Sequence, residues 1–189
     1  MRERKKRIYK RWWFWFIIIG IVLAVAGFLG INRNTDKAPE SSEDMKITYD
    51  NFTSIKLGSS YEDVAALLGE GEKKNTSEVV GTKTVTYTWK GDDLSSITVT
   101  VQNDIVTVKT QTGLGDNENN VSKEQYDELQ EGMSYKAVTS IIGKGVLLSQ
   151  SRIMDAVAEK YIWTNKDMSV VTLNFTDGAL STKTQEETK

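Results

Sequence analysis

The sequence predicts an α+β protein: two tandem modules, each a helix-turn-helix packed on an antiparallel sheet, preceded by one transmembrane helix. Three observations carry that expectation. Phe52–Gly71 and Tyr126–Gly145 are the same pattern 74 residues apart, with Gly58, Ser60, Tyr61, Val64, Gly69 and Gly71 recurring as Gly132, Ser134, Tyr135, Val138, Gly143 and Gly145. After each copy the apolar period changes from helical spacing to alternation. Ahead of both lies Trp12–Ile31, twenty residues without a charge. The same offset continues to Thr110-Gln111 and Thr184-Gln185.

In chain order, residues 1–11 are a basic tail: Arg2, Arg4, Lys5, Lys6, Arg7, Lys10 and Arg11 stand against Glu3. A helix over 12–31 is long enough for about 30 Å of hydrocarbon. The flanking cations and Trp12, Trp13 and Trp15 orient the basic end toward the cytoplasm. The expected location is the cell membrane, single-pass, with the N-terminus cytoplasmic and the modules extracellular. Ala24-Val25-Ala26 has the small-x-small form of a cleavage site, but Phe28, Leu29 and Ile31 carry the apolar run beyond it. Residues 32–46, with the single proline Pro39, read as a disordered tether.

Module 1 spans 47–111, a linker 112–120, and module 2 121–185. In each, Phe52 and Ile55, or Tyr126 and Leu129, share one face of a short helix. Thr48 and a Ser122/Gln125 capping box start these helices, and Gly58 and Gly132 are expected to end them. Ser60 and Ser134 cap a second helix, with Val64, Leu67 and Leu68, or Val138, Ile141 and Ile142, as its buried stripe and Gly69 or Gly143 as its stop. Strands follow. Val85, Tyr87 and Trp89 alternate with Thr84, Thr86 and Thr88, and Ile97, Val99 and Val101 with Thr98 and Thr100. Val106 and Val108 flank Thr107. In the second module Tyr161, Trp163, Val171, Leu173, Phe175 and Leu180 form the inward set. Asn103-Asp104 and Asp177-Gly178 suit tight hairpins.

Chemistry is sparse. Cysteine and histidine are absent, which removes disulfides, thiolate ligands and the commonest general base and metal ligand. Beyond Ile31, 17 basic residues face 25 acidic ones, so nucleic acid is excluded as the expected partner. The acidic residues show no repeated pairing, Asp116–Asn120 reads as a turn before a calcium loop, and no Ser-x-x-Lys or Gly-x-Ser-x-Gly occurs. The chain is read as a non-enzyme without catalytic, cofactor or metal residues. Tyr87/Trp89 and Tyr161/Trp163 share the parity of the aliphatic set and belong to the core. The opposite face is the candidate protein-binding surface: Thr84, Thr86, Thr88, Thr98, Thr100 and Lys109, then Lys160, Ile162, Thr172, Asn174 and Lys183. Threonine also suits an exposed strand for propensity alone.

The twice-used pattern Phe52…Ile55…Gly58…Ser60…Val64…Leu67…Gly69 resembles the tandem modules of the β-lactamase inhibitory protein family. Its second copy, Tyr126…Leu129…Gly132-Met133-Ser134…Val138…Ile141…Gly143, ends on Phe175-Thr176-Asp177-Gly178-Ala179-Leu180…Lys183…Gln185. The resemblance covers about residues 47–185, and membrane-anchored members of Gram-positive bacteria are similar. It implies a continuous curved sheet whose concave face grips a protein. Where the inhibitor carries histidine, tryptophan and arginine, this chain has Thr172, Asn174, Thr184 and Glu186, so the usual anchors of a binding hot spot are missing. Three functions are in view: a membrane-anchored module, held by Trp12–Ile31, that binds a protein or cell-envelope partner; an inhibitor of a β-lactamase or penicillin-binding protein; or an assembly factor for an envelope complex.

Overall fold

The computed structural model describes residues 46–186, apart from 93 and 117. The chain enters through α1 (Tyr49–Ser54) and α2 (Tyr61–Leu68), then runs through β1 (Glu72–Val79), β2 (Thr82–Lys90), β3 (Ser96–Gln102) and β4 (Ile105–Thr112). After the two-residue β5 (Glu118–Asn119) come α3 (Lys123–Glu128) and α4 (Tyr135–Ile142). Strands β6 (Val146–Ile153), β7 (Ala156–Asn165), β8 (Val170–Thr176) and β9 (Ala179–Glu186) complete it. Both helices of the first half, and every strand but β2, β5 and β7, recur with bounds displaced by the same 74 residues seen in the sequence.

The strands form one continuous sheet in the order β1-β2-β3-β4-β6-β7-β8-β9, antiparallel throughout this path, with β5 added parallel to β7. The two halves meet where Val108, Lys109 and Thr110 of β4 pair with Ser151, Gln150 and Ser149 of β6. Two apolar clusters lie on the helix side. One gathers Phe52, Ile55, Val64 and Leu68 against Val85, Trp89, Ile97, Val99 and Val101. The other gathers Leu129, Val138 and Ile142 against Trp163, Val171, Leu173 and Phe175. Tyr161 packs against both.

The helix starts are as the sequence implies. Thr48 accepts from the Asn51 amide, Ser60 forms a capping box with Asp63, and Ser122 forms one with Gln125. The hairpin expectation also holds. Asn103 and Asp104, and Asp177 and Gly178, take positive φ, and Asn103 Oδ1 and Asp177 Oδ1 accept from the Lys83 and Val157 amides.

The helix-turn-helix modules are not there. The first helix of each pair ends at Ile55 or Leu129, whose backbone is already extended. The segment read as a turn is instead stitched to the sheet. Gly58 and Gly132 donate to the Val106 and Leu180 carbonyls at 2.9 and 2.8 Å. The Val106 and Leu180 amides return bonds to Ser59 and Met133 at 2.9 and 2.7 Å. The connection between the helices is therefore part of the sheet's own bonding, and among the described residues the fold is one sheet with four short helices rather than two helix-hairpin modules.

The expected transmembrane helix, and the single-pass cell-membrane location built on it, are corrected as well. No helix among the described residues is long and apolar enough to cross a membrane. The longest have eight residues, about 12 Å against about 30 Å of hydrocarbon. The stretch 12–31, the basic tail 1–11 and nearly all of the tether 32–46 lie outside the described residues.

Candidate functional site

Alternation along the strands inside the β1 edge sends one set of side chains under the helices and the other to the open face. Thr84, Thr86 and Thr88 of β2 and Thr98 and Thr100 of β3 alternate with buried Val85, Tyr87, Trp89, Ile97, Val99 and Val101, and so stand on the open face. The pairs Thr86/Thr100 and Thr88/Thr98 face each other across the two strands, their hydroxyls 3.2 and 3.1 Å apart. In the second half Lys160, Ile162, Thr172 and Asn174 occupy the same face, and the Asn174 amide donates to Thr182 Oγ1 at 2.8 Å.

Lys109 and Lys183 do not belong to this set. Lys109 is 2% exposed and its ammonium reaches the Phe52, Thr53 and Ile55 carbonyls at 3.0, 3.2 and 2.6 Å, over the Phe52 ring. Lys183 does the same for α3, donating to the Tyr126 carbonyl at 2.7 Å over the Tyr126 ring. Each closes the C-terminal end of the helix that opens its half, where bare carbonyls favour a cation. Burial pulls the Lys109 pKa down to about 8, against the Glu159 carboxylate, which pulls it up.

A β-bulge explains the reversal. Val101 pairs with Val106 but Thr100 pairs with Val108, leaving Thr107 extra. Phe175 pairs with Leu180 but Asn174 with Thr182, leaving Ser181 extra. The bulged hydroxyls bond back across the strand, Thr107 to the Thr100 carbonyl and Ser181 to the Asn174 carbonyl. One inserted residue exchanges the faces of everything after it. The open face thereby gains Val108, Thr110, Thr182 and Thr184 in place of the lysines.

With the register corrected, one row crosses seven strands: Thr88, Thr98, Thr110, Ser149, Lys160, Asn174 and Thr182. At about 4.8 Å per strand it is about 29 Å wide, the edge of a standard interface patch of about 800 Å². The next row, Thr86, Thr100, Val108, Ser151, Ala158, Thr176 and Ala179, is small and nearly apolar at its centre. Neither row has an aromatic or arginine side chain, and Lys160 is the single charge in them.

On the covered side, the repeated Gly-x-Gly has a role the sequence did not disclose. Gly69 and Gly143 cap α2 and α4 with φ of 85° and 76°, and their carbonyls accept the Trp89 and Trp163 indole N–H at 2.9 and 3.1 Å. Two residues on, Gly71 and Gly145 pass over those same indoles so closely that a Cβ would lie 2.6 Å from the ring. The linker is also fastened more firmly than its polarity suggests. Leu114 is buried, its amide bonded to Gln111 Oε1, while Gln111 Nε2 donates to the Leu147 carbonyl. Asn165 bonds both the amide and the carbonyl of Val121, at 2.8 and 3.2 Å.

The fold defines an antiparallel-sheet scaffold with a few short helices on one face and a broad hydroxyl-bearing face presented on the other. A family model described as "Beta-lactamase inhibitor (BLIP)" matches residues 48–163, and the chain belongs to that family. A crystal structure from Streptococcus mutans, provisionally described as a beta-lactamase inhibitor protein, is similar in fold: TM-score 0.65 and 23% identity over 79% of this chain and 100% of that one. An extracellular Bacillus anthracis protein containing an SCP domain aligns over 83% of this chain and 50% of its own at 13% identity, but a TM-score of 0.28 carries no argument. No curated protein sequence matches the chain.

Proposed function

We propose that the chain is a non-catalytic, protein-binding member of its family that engages its partner through the open face of the sheet. The observation that supports this most is the polar row from Thr88 to Thr182, continuous across the joint between the halves and lying opposite the helices. Hydroxyls and one amide on a pleated surface offer donors and acceptors at regular spacing. Without aromatic or arginine anchors, affinity comes from many small contacts and complementarity of shape. The test is to replace Thr86, Thr100, Thr172 and Asn174 by alanine together and measure capture of partner proteins by crosslinking and mass spectrometry. Loss of a partner that the parent chain captures supports the face; capture unchanged for every partner removes it.

A second reading is direct inhibition of a β-lactamase or penicillin-binding protein. It is favoured by the description of the family and of the Streptococcus mutans protein. Titrating the chain against such enzymes decides it, since absence of inhibition at micromolar concentration removes the idea and leaves the wider protein-binding reading intact.

A further inference from the structure

The joint between the two halves leaves an unused copy of each of its edges at the ends of the sheet. Internally, Val108–Thr110 of β4 pairs with Ser149–Ser151 of β6. Displaced by the 74-residue offset, the counterpart of the β4 edge is Thr182–Thr184 on β9, and the counterpart of the β6 edge is Asn75–Ser77 on β1. Among the described residues, strands β1 and β9 are the two outermost strands, each with one neighbour.

The β9 edge is prepared as the β4 edge is. In each, the first part of the strand is bonded by the preceding glycine segment, Gly58–Ser59 on Val106 and Gly132–Met133 on Leu180. Each then passes its bulge, at Thr107 or Ser181, and turns a lysine inward. On β4 the three residues after the bulge, Val108–Thr110, bind β6 along this edge; on β9 the equivalent three have β8 on one side and, among the described residues, no strand on the other. Gln111, which spans the internal joint to the Leu147 carbonyl, has its counterpart in Gln185. At the other end, all eight residues of β1 are exposed, and none of the loop or cap hydrogen bonds among the described residues reaches it. An uncovered edge of this length is a template for another strand.

We propose that the chain joins copies of itself head to tail, Thr182–Thr184 of one copy pairing antiparallel with Asn75–Ser77 of the next in the geometry of the β4–β6 joint. Thr182 then lies opposite Ser77, Lys183 opposite Thr76 and Thr184 opposite Asn75. The joint is heterologous, so it extends into an open chain or a ring rather than stopping at a dimer, and the open faces of successive copies form one surface.

The absence of cysteine allows a direct test in the full chain. Opposed residues in an antiparallel pair have Cα atoms about 4.5–5.5 Å apart, within disulfide reach. The double variant Ser77→Cys/Thr182→Cys should oxidise to a ladder of disulfide-linked multimers on a non-reducing gel. Each single variant alone should stay at the monomer position, and an equal mixture of the two should give a dimer only. A ladder no stronger than a double variant carrying cysteine at the exposed turn residues Met154 and Met168 overturns the joint. Dimerisation of Ser77→Cys by itself overturns the head-to-tail order.

Discussion

Replacing Gly145 by alanine tests whether the repeated Gly-x-Gly exists to let the chain pass over a buried indole. The added Cβ would lie 2.6, 2.6 and 2.7 Å from three atoms of Trp163, where carbon contacts settle at about 3.5–4.0 Å. About 1 Å must therefore be recovered. Trp163 has little room to supply it, being 0% exposed and held by its indole N–H on the Gly143 carbonyl at 3.1 Å. Overpacking of this kind costs about 1–3 kcal/mol, and weakening the indole bond adds about 1 kcal/mol. Lower entropy of the unfolded chain returns about 0.4–1 kcal/mol. The net loss is about 1–3 kcal/mol, or roughly 3–10 °C in melting temperature for a unit of this size. Thermal unfolding by circular dichroism measures it. A Trp163→Phe background removes the atoms that clash, so Gly145→Ala should cost distinctly less there, giving a coupling in the double-mutant cycle. An unchanged melting temperature, or the same penalty with phenylalanine in place, would refute the close-approach reasoning.

Other perturbations separate the remaining parts. Lys109→Met strips the cation from three carbonyls, two of them in buried contacts, and should cost about 1–3 kcal/mol, while Lys183→Met, with one bonded carbonyl and a less buried site, should cost less; urea unfolding ranks them. Lys109 also gives the stability a pH dependence. Its folded pKa is about 8 against 10.5 in the unfolded chain, so between those values the unfolded state holds more protons and stability rises with pH. Above about pH 10 the rise is opposed by Tyr61, Tyr126, Tyr135 and Tyr161, whose phenols are all held up by burial. Lys109→Met should show no rise between pH 8 and 10, and a parallel rise in the variant would assign it to another group. Asn165→Ala leaves the Val121 amide and carbonyl unpaired in a buried place and should cost about 2–4 kcal/mol, with faster hydrogen exchange at Val121.

The sequence was most legible where a residue type has one local use. Thr48, Ser60, Ser122 and Ser134 were readable as caps because a hydroxyl there completes an amide whatever the tertiary structure. The alternation in β2 and β3 placed Thr84 through Thr100 because no bulge interrupts that pair. It failed in β4 and β9, where Val106-Thr107-Val108 reads as clean alternation but hides an inserted residue, so Lys109 and Lys183 were put on the wrong face. Gly58 and Gly132 do take left-handed φ, at 92° and 88°. Their partners are sheet carbonyls far along the chain rather than their own helices, so local pattern made a helix hairpin of a segment bonded to a strand. The Gly71 and Gly145 contacts were unreadable for the same reason, since each depends on an indole 18 residues away.

The central claim is that the open face, and not the helix side, carries recognition. It is tested most directly by crosslinking the parent chain and the Thr86, Thr100, Thr172, Asn174 alanine variant to their partners, beside a helix-side control in which Lys56 and Lys136, both exposed, become alanine. The open-face variant should lose the partner captured by the parent chain while keeping its melting temperature, and the control should keep both. Retention of the partner by the open-face variant, with its loss in the control, would contradict the account.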